Sequence, residues 1–108
     1  MKGPLLNVEG IYCASINAGI KNNDDLDLSV ISLTKGSVTA AVFTQNIFCA
    51  APVLVAKNHL QNFPRALLIN SGNANAGTGK EGIVNTLESC KVLANELDIK
   101  AEEVLPFS

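Results

Sequence analysis

Apolar and polar positions follow a strand-like pattern in the first half of the chain and a helical period in the second. Residues 10–20, 26–33 and 38–44 combine β-branched and apolar residues, and short polar turns separate them. Such segments predict consecutive strands, and their short connections favour antiparallel pairing. Residues 48–57 predict an edge strand, or a piece that is extended only after Pro52, because proline lacks the amide donor that a ladder needs.

The helical period is clearest between Lys80 and Leu97. Apolar residues recur there at steps of four and three, which predicts one buried stripe formed by Ile83, Leu87, Cys90, Ala94 and Leu97. Thr78 and Glu81 have the spacing of a capping box at the start of this helix. Because Cys90 lies on the stripe, we expect it to be a buried packing residue and not a nucleophile.

A loop of small and polar residues lies between this helix and a buried strand predicted at 66–69. It contains Asn70, Ser71, Gly72, Asn73 and Asn75, followed by glycines at 77, 79 and 82. Backbone N–H groups and carboxamides in such a loop are available to hydrogen-bond a ligand. The alternative is a plain connector, whose glycines allow positive φ and whose asparagines tolerate it.

Two nucleotide-binding motifs nearly match this loop. Residues 77–82 satisfy G-x-G-x-x-G before a helix, but residues 70–76 separate them from the strand, where a dinucleotide fold needs its first glycine. A P-loop requires glycine at Ala74 and Ser or Thr at Glu81, and it fails at both positions. One alternative hypothesis is therefore a nucleotide-binding α/β module that uses Gly77, Gly79 and Gly82.

Composition describes a globular protein and argues against several functions. The chain has 108 residues, of which 47% are hydrophobic and 17% charged, and its net charge is −2. Lys and Arg are scattered and aromatic residues are few, which argues against nucleic-acid binding. The first residues lack a signal-peptide pattern, and the longest apolar stretch, 48–56, is too short for a membrane span. We expect a cytoplasmic protein without a membrane partner.

The titratable residues indicate neither a metal site nor a catalytic cluster. Cys13, Cys49 and Cys90 are odd in number and far apart, which fits free thiols in a reducing compartment. His59 is the single histidine, and we expect it at the surface in a short turn. No group of His, Cys and carboxylate residues has metal-ligand spacing.

Four blocks of residues stand out together. In chain order they are Thr44-Gln45-Asn46, Ala50 to Val53, Ile69 to Gly79, and Leu105-Pro106-Phe107-Ser108. Their sequences and order resemble the ornithine acetyltransferase family, the bifunctional glutamate N-acetyltransferases of arginine biosynthesis. The resemblance covers nearly the whole chain but only the N-terminal part of a family member. We therefore interpret residues 1–108 as an N-terminal fragment of such an enzyme.

The resemblance implies an α/β (α+β) fold, a layered sandwich with helices outside paired, largely antiparallel sheets, of which this chain is a partial domain. It implies transfer of an acetyl group from N-acetylornithine to glutamate without a cofactor, with acetyl-CoA as a further donor in some members. Family members cleave themselves before a threonine, which becomes the N-terminal nucleophile of the second chain. The implied partners are the remainder of the alpha chain and the beta chain, in a hetero-oligomer of cleaved chains.

The resemblance assigns no catalytic residue to this chain. The family's oxyanion Thr-Gly pair follows directly after the Pro-Phe-Ser block, and its nucleophilic threonine lies further on. At Ile47 the sequence departs from the family, which often has a basic residue there. The implied role is support of the active site by Asn70, Ser71, Gly72, Asn73 and Asn75, in a chain that is inactive alone. A non-catalytic remnant that persists as an interaction domain is the other alternative.

Overall fold

The structure is a computed structural model that describes residues 8–17, 26–46, 50–71 and 79–108. These residues form a four-stranded sheet and two helices. The strands are β1 (Ile11–Ile16), β2 (Leu28–Leu33), β3 (Ala66–Asn70) and β4 (Val104–Phe107), and the helices are α1 (Ala51–His59) and α2 (Gly79–Leu97). Short 3₁₀ turns, Leu60–Asn62 and Ala101–Glu103, follow α1 and precede β4. The predicted α+β class is confirmed.

The sheet is mixed and has the strand order β1-β2-β3-β4. β1 and β2 form the predicted antiparallel pair, with Ile11 opposite Leu33. β3 is antiparallel to β2, whereas β4 runs parallel to β3 and is reached through α2. Parallel neighbours need such a long crossover connection, and a helix usually provides it. The strand predicted at 66–69 is confirmed.

The core lies between the two helices and one face of β3 and β4. Its buried cluster consists of Val55, Ala66, Cys90, Ala94 and Val104. Ala66 and Val104 are opposite each other in the parallel register, so their side chains share the face that the helices cover. Small side chains in this cluster let the helices approach the sheet closely, in line with the dense packing of protein interiors.

The extended segment predicted at 48–57 is wrong in its described part, because residues 51–59 form α1. Pro52 lies in the first turn of this helix, where its missing N–H breaks no intrahelical hydrogen bond. Five residues are buried with helical spacing, at Ala51, Pro52, Val55, Ala56 and His59. Two β-branched valines suggested a strand, but burial of one helical face against the sheet overrides that weak local preference.

The surface position predicted for His59 is also wrong. Its side chain is buried at the end of α1, and Nδ1 donates a hydrogen bond of 2.8 Å to the carbonyl oxygen of Val104. This contact joins the last turn of α1 to β4. The sequence could not indicate the partner, because the two residues are 45 positions apart.

Helix α2 confirms the predicted helix, and its buried face shares Cys90 and Ala94 with the predicted stripe. Its buried residues are spaced four apart, at Gly82, Thr86, Cys90 and Ala94. Leu87 is 42% exposed and Leu97 36%, so the predicted stripe is displaced toward smaller side chains. The Thr86 hydroxyl donates to the Gly82 carbonyl oxygen at 2.7 Å, so its burial leaves no hydroxyl donor unsatisfied.

The strand predicted at 38–44 is not present, since residues 37–46 form neither helix nor strand. Thr78 of the predicted capping box, Cys49 and Ile47 lie outside the described residues. Within the described ranges, no helix is long and apolar enough to cross a membrane.

Cys90 is the buried packing residue that the sequence predicted. Its Sγ lies 3.9 Å from the Val104 carbonyl oxygen, and the thiol is free. Burial raises the pKa of the Cys90 thiol from 9.0 to about 11, because the thiolate would lose its hydration, and a backbone hydrogen bond opposes this only in part. The free thiol of Cys13, in contrast, is exposed.

We expect a thiol reagent at pH 8 to modify Cys13 at once and Cys90 only on unfolding. A Cys49→Ser variant followed by mass spectrometry isolates these two sites. Because the unfolded thiol loses its proton near pH 9 and the folded one near 11, stability should fall as the pH rises between these values. Rapid labelling of Cys90 in the folded chain would contradict its burial.

Candidate functional site

The carboxyl ends of β3 and β4 meet at one edge of the sheet, beside the beginning of β2. Ile69 lies opposite Phe107 in the parallel register, so Asn70 and Ser108 extend from neighbouring strands. Ligands often bind outside the carboxyl ends of parallel strands. We call Asn70, Ser71 and Ser108, with the cavity next to Asn70, the carboxyl edge.

Two of the predicted site residues lie at the carboxyl edge. Asn70 ends β3 and is half-buried, and it is opposite Leu28 of β2. The Ser71 N–H donates a hydrogen bond of 2.9 Å to the carbonyl oxygen of Asp27. The other three predicted residues, Gly72, Asn73 and Asn75, lie outside the described residues.

Asp27 belongs to this edge, and the sequence did not indicate it. Only 2% of its surface is exposed, and its carbonyl holds the first residue after β3. No signal in the sequence marks the burial, because it depends on the pairing of β2 with β3.

The side-chain oxygen of Asn70 is the most informative atom of the edge. Oδ1 is buried, and it has no hydrogen-bond partner within the described part of the chain. A buried acceptor without a donor costs about 1–3 kcal/mol. Such a group in a folded protein requires an explanation, and a functional role is one of the recognised explanations.

A cavity of about 200 Å³ lies next to Asn70, between the sheet and α2. On the sheet side its wall includes Leu68, Asn70 and Pro106, and on the helix side Asn85, Thr86 and Ser89. The Ser89 hydroxyl donates to the Asn85 carbonyl oxygen at 2.9 Å, and the Thr86 hydroxyl is engaged within α2 in the same way. Both hydroxyl protons are therefore used, and the two oxygens have only lone pairs to offer. The carboxamides of Asn70 and Asn85 also line the cavity and can both donate and accept, so the wall can bind a group of either kind.

The chemistry of this wall is limited to binding. Of the described residues that line the cavity, none is Cys, His, Lys, Arg, Asp or Glu. The wall therefore holds no strong nucleophile with an adjacent base, which acyl transfer requires. The carboxyl edge can orient a polypeptide segment or a ligand through hydrogen bonds.

The glycines of the nucleotide-binding alternative do not share one environment. Gly79 is the first residue of α2, with a φ of +60° and open space around it, whereas Gly82 is buried inside the helix. Gly77 lies outside the described residues. β3, α2 and β4 do form a β-α-β unit, but the connection from β3 to α2 is longer than a phosphate-binding turn requires.

Two solved structures share this α+β architecture, and each of them is a longer chain. A protein of Bacillus halodurans, described as arginine biosynthesis bifunctional protein argJ, matches 91% of this chain with a TM-score of 0.85 and 31% identity. The ornithine acetyltransferase of Mycobacterium tuberculosis, solved with ornithine, matches 93% with a TM-score of 0.84 and 34% identity.

The sequence comparison identifies the family. The model of the ArgJ family matches residues 12–108, so the chain belongs to the ArgJ family. The arginine biosynthesis bifunctional protein ArgJ of Methylococcus capsulatus is 48% identical over 104 residues, and that of Neisseria meningitidis is 46% identical over 106. These matches give the nucleotide-binding alternative no support.

The chain spans about a quarter of the length of these relatives. The sequence matches include 96% of this chain but only 26% of each curated protein. The structural matches cover 52% and 56% of the two solved chains. The activity of the complete relatives is therefore only proposed for this chain, in the next section.

Proposed function

We propose that residues 1–108 are the N-terminal part of a bifunctional ornithine acetyltransferase that moves an acetyl group from N-acetylornithine to glutamate. The observation that carries this proposal is the ArgJ family match over residues 12–108. The Mycobacterium tuberculosis relative is named for ornithine acetyl transfer and was solved with ornithine, which agrees with the proposed substrate class.

The proposed reaction is an acyl exchange through a covalent acetyl-enzyme. A threonine hydroxyl beyond residue 108 attacks the acetyl carbonyl of N-acetylornithine, and ornithine leaves with the proton that the hydroxyl gave up. The amine of glutamate then attacks the acetyl ester and restores the hydroxyl. Each tetrahedral intermediate needs oxyanion donors, and no cofactor is required. Acetyl-CoA is a second possible donor in the first half of the exchange.

The proposed role of this chain is to hold one side of that active site. From the resemblance to the family, we expect the oxyanion Thr-Gly pair just after Ser108. The parallel register brings Ser108 beside Asn70. Among the described residues none donates to the buried Asn70 Oδ1, which fits a carboxamide that completes its hydrogen bonds in the assembled enzyme. Ser71, Gly72, Asn73 and Asn75 belong to the same proposed support.

The proposed partners are the remainder of the alpha chain and the beta chain, in a hetero-oligomer of cleaved chains in the cytoplasm. The second face of the sheet supports a protein partner. Ile31, Leu67, Ile69 and Phe107 share this face by their registers and are only half-buried, whereas Leu105 on the same face is already buried. An apolar sheet face of this kind is normally covered by a further layer.

The first experiment compares the chain alone with a complete enzyme. Residues 1–108 are joined to the remaining sequence of the Methylococcus capsulatus relative, and acetyl transfer from N-acetylornithine to glutamate is measured by mass spectrometry. We expect activity together with self-cleavage in the complete enzyme, and neither in residues 1–108 alone. Acetyl transfer by the chain alone would overturn the proposed division of roles, and a cleaved, folded but inactive complete enzyme would overturn the proposed reaction.

A second prediction concerns Asn70. Replacing it by alanine removes the unpartnered acceptor, so stability should be unchanged or slightly higher, while kcat of the complete enzyme should fall about tenfold with little change in KM. Asn95→Ala, at an exposed position of α2, is the matched control and should change neither quantity. An Asn70→Ala enzyme with normal kcat would show that the carboxamide has no part in the reaction.

A further inference from the structure

Residues 37–46 combine a strand-like sequence with an absence of regular structure. The segment, Ser-Val-Thr-Ala-Ala-Val-Phe-Thr-Gln-Asn, contains no charged residue, and it is rich in the β-branched and aromatic residues that favour strands. The sequence predicts a strand at 38–44, but the segment belongs neither to the sheet nor to a helix.

The backbone of this segment has few hydrogen bonds to the rest of the described chain. Within the described part of the chain, residues 38–43 make no backbone hydrogen bond with one another or with another segment. Two valines in it are among the most exposed apolar residues described, with Val38 at 85% and Val42 at 98%. Free amides and carbonyls beside exposed valines are the features of a strand that lacks its neighbour.

Both ends of the segment are nevertheless fixed to the domain. At the start, the Ser37 amide and hydroxyl both donate to the Thr34 carbonyl oxygen, at 3.2 and 2.7 Å. At the far end, Lys57 of α1 donates from Nζ to the Thr44 carbonyl oxygen at 3.2 Å. The same Nζ lies 5.9 Å from the centre of the Phe43 ring, within the range of a cation–π contact. Residues 38–42 are therefore presented between two anchored ends.

We propose that residues 38–43 are a β-strand whose pairing partner is a strand in the part of the complete enzyme that this chain does not span. This inference rests on the proposed function, because it assumes that the chain acts within such an enzyme. About three-quarters of the length of the curated relatives lies beyond the match. That length supplies a partner within the same enzyme, and pairing with it avoids the entropy cost of bringing two separate molecules together.

A second copy of the chain is the less favoured occupant. Exposed strands of free monomers usually have charged residues or proline that prevent pairing between molecules, and this segment has neither. A strand that is covered within its own enzyme does not need that protection. In a second copy, the segment would pair with an exposed edge strand such as β1. The experiment distinguishes this outcome.

Hydrogen–deuterium exchange in the complete enzyme defined above tests the proposal. The measurement uses preparations in which the amides of β3 are protected, so that folding is established. We expect the amides of residues 38–43 to exchange at least about 100-fold more slowly than unstructured chain. Exchange at the unstructured rate would overturn the proposal, as would protection that disappears on dilution, because that result identifies a second copy as the partner.

A pair of substitutions provides an independent readout. Val42→Lys should lower Tm of the complete enzyme by about 5 °C or more, because it places a charge in a buried strand pair. Val84→Lys, at an exposed position of α2, is the control and should change Tm by no more than about 2 °C. Equal, small effects at both positions would contradict the pairing. Neither measurement depends on acetyl transfer, so a protected segment in an inactive enzyme would separate the pairing from the proposed reaction.

Discussion

Truncation of Leu105 to alanine should lower the free energy of unfolding by about 2–5 kcal/mol. Leu105 is 1% exposed in β4 and is opposite Leu67 in the parallel register. Its removal deletes apolar contacts and leaves a cavity that a closely packed strand cannot fill by relaxing. Urea denaturation followed by circular dichroism measures the change.

Leu87→Ala is the matched control for this substitution, since it removes the same atoms from an exposed position. Leu87 is 42% exposed on α2, so its truncation should cost less than about 1 kcal/mol. The hydrophobic periodicity alone predicts a large loss of stability for Leu87→Ala, because it assigns Leu87 to the buried stripe. Equal losses at the two positions would support that stripe against the face observed in the structure.

Replacement of His59 by alanine is the second large effect that we expect. The substitution leaves the Val104 carbonyl oxygen without its donor and empties the space of a buried ring. An orphaned acceptor and a small cavity together should cost about 2–4 kcal/mol. Thermal and urea unfolding of the chain measure the loss.

His59→Asn distinguishes the hydrogen bond from the packing. An asparagine amide nitrogen can take the place of Nδ1 and donate to the same carbonyl, although it fills less space. We therefore expect His59→Asn to recover about 1 kcal/mol relative to alanine. If asparagine and alanine destabilise the protein equally, the contact with Val104 contributes nothing beyond packing.

The elements that could be predicted from the sequence are those with a clear local pattern. Helix α2 has a long amphipathic period, and β3 is a short apolar run that ends at a polar loop, so both were placed within a residue or two. The loop that begins with Asn70 and Ser71 could be predicted in this way, whereas the parallel pairing that brings Ser108 beside Asn70 could not. The burial of the Asn70 oxygen, away from any donor in the described part of the chain, could not be predicted, because it depends on which atoms the fold brings near it.

Errors arose where tertiary contacts override the local preference. Residues 51–59 include two β-branched valines and a proline, yet they form a helix because one helical face is buried against β4. The burial of His59 depends on a carbonyl in the last strand. The strand at 38–44 has the right residues but no neighbouring strand within the described residues, and a strand is defined by its hydrogen-bonding partner.

The parallel pairing of β3 with β4 also has a consequence for synthesis on the ribosome. The hairpin of β1 and β2 is local and can form as soon as it emerges, but Val104, which belongs to the core, follows β3 only after the whole of α2. Until β4 has been translated, α1 has no strand for His59 to bind, and the apolar side of β3 stays uncovered. A translational pause before residue 104 would hold the nascent chain in an aggregation-prone state, whereas a pause after β4 has emerged would let the core close.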